Sequence, residues 1–343
     1  MVRVEEATRA PADWDAFVQG HVLASAYHRA AAVEIGARAF KLRTYYLTAR
    51  DADSRLVGVL PLVEQSSFVF GRFLVSVPFF TYGGVLANDE HTARALTSQA
   101  ADLAQRRKVA HVELRHMQES ELGLAQRTDK VSMMLELPPT MDELLKRLGS
   151  KLRSQIKKAD KEVPEVQWGG AELVRDFYSV FAPSMHSLGT PVYPRRFFDA
   201  ACTAFGELAS ILIVRVNGVV QAAALLVRHG HRIEVPWAAA TEAGKRSSIN
   251  MFMYREMLRY SIDRGATVFD FGRSTVDSGT YRFKAQWGAK PVQLYWHYWL
   301  PQGAEMPRLN NANPKYALAV QCWQRMPLWA ANFLGPMISR SLP

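Results

Sequence analysis

The sequence predicts an α+β chain of two similar lobes, each a mixed, mostly antiparallel sheet flanked by helices. Three observations lead there. A chain of 343 residues with 48% hydrophobic composition can fill about two ordinary cores. A strand pair, a helix and an acid-bearing strand occur twice in the same order. The second strand pair is joined by Asn217-Gly218, a dipeptide that suits a two-residue hairpin because both positions need a left-handed backbone.

In the first copy, residues 41–50 (KLRTYYLTAR) and 55–65 (RLVGVLPLVEQ) read as paired strands around a polar turn at 51–54. Residues 92–107 repeat apolar positions at helical spacing, and 111–115 (HVELR) is a short strand. In the second copy, 208–216 and 219–228 form the hairpin, and 249–264 (INMFMYREMLRYSIDR) is an amphipathic helix stopped by Gly265. Residues 268–273 (VFDFGR) then answer HVELR. Between the copies, 131–137 (VSMMLEL) reads as a strand closed by Pro138-Pro139, with a basic helix from Met141 to about Glu162. The expected division is an N-terminal lobe (1–140), a linking helix (141–165), a C-terminal lobe (166–303) that carries the chemistry, and an amphipathic tail (304–343).

Lysine and arginine number 42 against 32 aspartates and glutamates, a net charge of +10 that attracts phosphates, RNA or anionic lipid. The excess is densest at Lys146, Arg147, Lys151, Arg153, Lys157, Lys158 and Lys161. That face is a solvated linker, an RNA-tracking surface or a guide for a phosphorylated lipid-linked sugar. No aromatic side chains interleave with it for base stacking, which ranks a nucleic-acid binder last. The two cysteines, Cys202 and Cys322, are too few and too far apart for a disulfide framework or a zinc site, so no metal is expected and a reducing cytoplasm fits. The first 30 residues mix apolar with charged positions, and no secretion signal is expected in them. No apolar stretch reaches the roughly 18 residues of a membrane span.

Strand, strand, helix, strand is the core order of the GNAT fold, and four segments make the likeness specific. They are 57–62 (VGVLPL) with 78–84 (PFFTYGG), 186–198 (HSLGTPVYPRRFF), 250–254 (NMFMY), and 269–288 (FDFGRSTVDSGTYRFKAQWG). In this order they resemble the FemAB-related proteins of exopolysaccharide and PEP-CTERM gene clusters. Those in turn are similar to the aminoacyltransferases that build peptidoglycan bridges, within the GNAT superfamily. The likeness spans nearly the whole chain and includes the tail at 323–340. It implies an N-acyltransferase or aminoacyltransferase that moves a group from an activated ester or thioester to an amine, in cell-envelope or exopolysaccharide biosynthesis. The competing expectation is a non-catalytic two-lobed scaffold that holds a saccharide or a biosynthetic partner at the membrane.

The bridge-forming enzymes have a lysine in a similar Phe-Lys context, which assigns Lys284, after Phe283 in a Gly-rich loop expected between strands, to the oxyanion formed when an amine attacks a carbonyl. Asp270 or His186 would take the amine's proton; the bland alternatives are an Asp-Arg structural pair and a helix-end histidine. Arg273 suits a phosphate or carboxylate, and Ser274 shapes its loop, with Tyr281 and Trp287 nearby. His186, Thr190 and Tyr193 belong to a Gly- and Pro-rich segment expected as a loop between two helices, Arg196 follows Pro194 at the start of the next helix, and Tyr82-Gly83 marks a close backbone approach. All of these but His186 are assigned to substrate. Lys245, Arg246, Ser247 and Ser248 precede a helix whose N-terminus suits a donor's pyrophosphate. The Arg/Gln-x-x-Gly-x-Gly/Ala loop of coenzyme A users is missing, as is the long coiled-coil arm of tRNA-using relatives, so the donor stays open between acyl-CoA and aminoacyl-tRNA. No tightly bound cofactor and no covalent intermediate are expected. The partners are a small-molecule or lipid-linked saccharide acceptor, tRNA on one donor reading, and the inner membrane face if the tail at Trp323, Met326, Trp329, Phe333 and Met337 lies on it. The alternative for the tail is packing on its own domain.

Overall fold

In the computed structural model, which describes residues 2–67, 71–307 and 314–341, the duplicated pattern becomes two sheets. Single turns aside, each repeat runs strand, two helices, three antiparallel strands, a long helix and a last strand. In the first repeat these are Arg3–Ala7, Trp14–Gly20, Ala30–Phe40, Arg43–Arg50, Leu56–Ser67, Gly71–Val75, Glu90–Arg107 and Val112–His116. In the second they are Glu165–Gly169, Val174–Ser187, Arg195–Phe205, Ala209–Val216, Val219–His229, Arg232–Ala240, Ile249–Asp263 and Val268–Thr275. In both, the last strand runs parallel to the third of the antiparallel group, with Leu74 opposite Val112 and Glu234 opposite Asp270. The expected α+β class with two mixed sheets is present, and each repeat has two longer strands that the pattern did not reveal: Arg3–Ala7 and Gly71–Val75 in the first, Glu165–Gly169 and Arg232–Ala240 in the second. The hairpin dipeptide behaves as its residue types require, with Asn217 at φ 51° and Gly218 at φ 76° between the paired Val216 and Val219.

The chain packs as two units, one of Met1–Lys130, Gln293–Leu309 and Arg340–Pro343, the other of Val131–Val292 and Asn310–Ser339. The division therefore differs from a simple cut at residue 140. Lys130–Glu136, which follows the first repeat, joins the second unit's sheet between Lys290–Gln293 and Val268–Thr275. Tyr295–Trp299, which follows the second repeat, joins the first unit's sheet between Val112–His116 and Ala125–Arg127. The basic segment is not one linking helix either. It forms two, Met141–Arg147 and Ser150–Asp160, parted at Leu148-Gly149. Leu144, Leu148, Leu152, Ile156 and Ala159 supply an apolar stripe buried in the second unit's core with Met257, Phe269 and Trp287. The tail forms helices Pro314–Arg325 and Leu328–Ser339. Cys202 is buried and Cys322 exposed, neither in a disulfide. No described helix is long and apolar enough to cross a membrane.

Candidate functional site

In the second unit, Pro236 sits inside the strand Arg232–Ala240 and cannot donate a ladder hydrogen bond. Two irregularities meet there. Toward Val219–His229 the register slips between the pairs Val227–Glu234 and Leu225–Trp237. Toward Val268–Thr275 the parallel pairing ends at Glu234–Asp270, although both strands continue. The two strands thus part beyond that pair, and the parted half of Val268–Thr275 carries Gly272, Arg273 and Ser274.

Asp270 is fully buried at the last paired position, where its Oδ1 accepts from the Ser132 hydroxyl at 2.6 Å and from the Gly272 N–H at 2.7 Å. Gly272 has φ +76°, a left-handed conformation that other residues adopt only with strain. That turn aims the carbonyls of Gly272 and Arg273 at Lys284, whose Nζ donates to each at 2.9 Å. Lys284 stands on the helix Gly279–Ala285, capped by Ser278, whose hydroxyl accepts from the Tyr281 N–H. In place of the Gly-rich loop expected between strands, the lysine is helical and buried. Burial pulls its ammonium down to about 8, while the Asp270 and Glu234 carboxylates act to raise it. The site is therefore a lysine at the edge of ionisation, bound to backbone carbonyls where two strands diverge, with two buried carboxylates close by.

Arg273 is exposed, and Ser274 is buried with no hydrogen-bond partner for its hydroxyl among the described residues. Tyr281 is half-buried. Trp287 is fully buried and tilted against Tyr254 at 6.0 Å, so it belongs to the core and does not present itself to a substrate. His186 lies in the last turn of the helix Val174–Ser187, not in the loop expected for it, and its Nε2 is buried with no hydrogen-bond partner among the described residues. The loop proper starts after it, with Thr190 exposed. Tyr193 stacks on Phe197 at 4.7 Å and meets Trp237 of the diverging strand edge-on at 6.5 Å, which brings that loop beside the parted strands. Arg196 is exposed in the first turn of the next helix. Lys245 pairs with Glu242 at 2.7 Å, the Arg246 carbonyl accepts from Lys158 Nζ at 2.7 Å, and Ser247 bonds back to the Ala243 carbonyl. Ser248 takes φ +66° at the N-terminus of Ile249–Asp263 and gives it no side-chain cap. Among the described residues no group of three or more His, Cys, Asp or Glu side chains is placed to hold a metal ion.

Tyr82 and Gly83 are in the other unit and serve its interior. Tyr82 is buried against Tyr27, and a Cβ on Gly83 would fall 2.9 Å from Val77. The close approach is to neighbouring protein. In that unit the acid on the last strand, Glu113, is sealed by its own strand and the neighbouring one: Arg115 Nε donates at 2.6 Å and the Tyr298 hydroxyl of Tyr295–Trp299 at 2.8 Å. Burial raises the Glu113 carboxyl, but Arg115 and Tyr298 outweigh it and hold it below the usual carboxylate value. Arg115 also donates to the Phe80 carbonyl at 2.6 Å and lies over the Trp296 ring. Sequence reasoning missed this network, and in the second unit it missed Glu234 and Ser132. A lone acid or hydroxyl within an otherwise apolar strand was the signal for both.

Residues 146–285, which span the diverging strands and Lys284, match the acetyltransferase (GNAT) domain family. They form a GNAT acyltransferase domain. No curated protein sequence matches the chain. Among solved structures, FemX aligns at 15% identity and TM-score 0.65, covering 85% of this chain and 96% of its own. A C-terminal domain assigned to a lysylphosphatidylglycerol synthetase of Agrobacterium fabrum aligns at 13% identity and TM-score 0.55, over 84% and 90%. A tandem GNAT protein from the clavulanic acid biosynthesis pathway aligns at 10% identity and TM-score 0.53, over 90% and 100%. At these identities the likeness is one of fold, and it extends over both units of the chain that holds the GNAT domain.

Proposed function

We propose that the GNAT domain forms an amide by moving an acyl or aminoacyl group from an activated thioester or ester to an amine acceptor of the cell envelope. The observation that carries this reading is the Lys284 ammonium held on the Gly272 and Arg273 carbonyls where the strands part. Two of its protons are engaged there, and the third can serve an oxyanion in a site partly shielded from water. The amine nitrogen bonds to the donor carbonyl carbon. The bond from that carbon to sulfur or oxygen then breaks, and the amine's surplus proton leaves. His186, with its buried Nε2, is the proposed acceptor of that proton. Asp270, fully buried and bonded to Ser132 and Gly272, suits a different role, in which it holds the Gly272 turn and the charge of Lys284. Lys245, Arg246, Ser247 and Ser248, at the start of Ile249–Asp263, are the proposed hold on the donor's phosphates. Arg273, Thr190, Tyr193 and Arg196 are proposed to receive the acceptor. The neighbours named FemX and lysylphosphatidylglycerol synthetase favour a saccharide precursor or a lipid of the envelope as that acceptor, at the cytoplasmic face of the membrane.

Native mass spectrometry against a panel of acyl-CoA compounds and aminoacyl-tRNAs, with and without ribonuclease, identifies the donor. Transfer to amine acceptors is then followed with wild type and Lys284→Met. One donor class should bind, and the variant should bind it without turnover. Absence of any donor binding, or wild-type turnover in the variant, would count against the proposal.

A further inference from the structure

The helix Leu328–Ser339 uses two opposite faces in different ways. Ala331, Gly335 and Ser339, four residues apart, are buried small side chains. A Cβ on Gly335 would lie 3.0 Å from the Val192 N and O atoms, so this face is pressed directly onto the backbone of the loop that carries Tyr193. Trp329, Phe333 and Met337 have the same spacing on the opposite face and are 75%, 71% and 62% exposed. An apolar row of this size facing water calls for a partner.

The charge around it selects that partner. From residue 306 to the last the sequence contains no aspartate or glutamate, but it has Arg308, Lys315, Arg325 and Arg340, two of them flanking the helix in sequence. A helix with bulky apolar side chains outward, a tryptophan near one end and only cations flanking it in sequence has the makeup of one that lies in the headgroup region of an anionic bilayer. We infer that Leu328–Ser339 docks the protein on anionic membrane through Trp329, Phe333 and Met337, while its small-residue face stays clamped to the 192–193 loop. The loop beside the diverging strands then works at the lipid surface, where a lipid or lipid-linked acceptor presents its amine. The docking does not depend on which group is transferred, and it is read without any turnover.

The test is sedimentation of the full chain with vesicles of phosphatidylcholine alone or mixed with phosphatidylglycerol. Wild type is compared with Trp329→Ser/Phe333→Ser/Met337→Ser, and light scattering follows oligomeric state. Wild type should pellet with the mixed vesicles, less with the neutral ones, and less as salt rises. The triple variant should bind at least ~30-fold more weakly with an unchanged melting temperature. If it unfolds, Phe333→Ser alone is read and should lose severalfold. Wild type remaining in the supernatant with both compositions overturns the inference. So does a variant that pellets like wild type, which would place lipid binding on basic residues elsewhere. A wild-type dimer that becomes monomeric in the variant, with no pelleting, assigns the face to a second copy instead.

Discussion

Lys284 is pulled two ways: its burial disfavours the ammonium, while two carbonyls and two carboxylates favour it. Its value falls from 10.5 to about 8 on folding, so the unfolded chain binds more protons between those limits. Stability linked to this group therefore rises with pH across that window and is lowest below it. The denaturation midpoint of wild type minus that of Lys284→Met should accordingly increase from pH 8 to 10.5; a flat difference would contradict the buried ammonium. If that ammonium serves the oxyanion, kcat should fall as pH rises through about 8. Asp270→Asn removes a charge that holds the ammonium up, and the falling limb of the pH–rate profile should move to lower pH. Much of this site was readable as sequence because Asp270, Arg273, Ser274 and Lys284 lie within one short segment. Ser132 was not, since it reaches Asp270 across 138 residues through a strand pairing that no local pattern announces.

The two decisive elements are a strand that the residue pattern hid and a helix that it took for a loop. Arg232–Ala240 lacks clean alternation because Glu234 is buried and Pro236 breaks the run, yet those residues set where the strands part. The helix Gly279–Ala285 is only 7 residues long and opens on a glycine; its start is fixed by the Ser278 cap, a signal easily lost among other turn residues. Ser278→Ala should cost about 1 kcal/mol by denaturation. It should lower kcat beyond what that loss of stability accounts for, because the helix aims Lys284. Gly272→Ala has room for its methyl group, whose nearest neighbour would be the Val235 carbonyl at 3.7 Å, but not the backbone angle. A loss of about 1–2 kcal/mol is expected from the left-handed conformation alone.

At the scale of the molecule, the two repeats share a plan but not a site. The second repeat leaves its strand-borne acid near a lysine, and the first locks Glu113 onto Arg115 and Tyr298. Arg115→Met leaves that carboxylate buried without its guanidinium and should cost about 3–5 kcal/mol. The expected readout is a first-unit transition at lower denaturant than the second. The duplication itself could be seen in the sequence, because strand and helix periodicities recur in order. The exchange of closing strands could not, because the residues 295–299 (YWHYW) follow the strand Lys290–Gln293 of the other sheet after a single residue and carry no mark of the sheet they join.

That exchange also sets an order of assembly on the ribosome. All strands of the second unit's sheet lie between Lys130 and Gln293, whereas the first unit waits for Tyr295–Trp299, an internal strand of its own sheet. The sheet begun first is thus completed last. Until that strand emerges, Val112–His116 has an open edge, the kind of surface that invites chaperones or aggregation. A chain released after Gln293 would carry the second unit's complete sheet on an N-terminal half that cannot close.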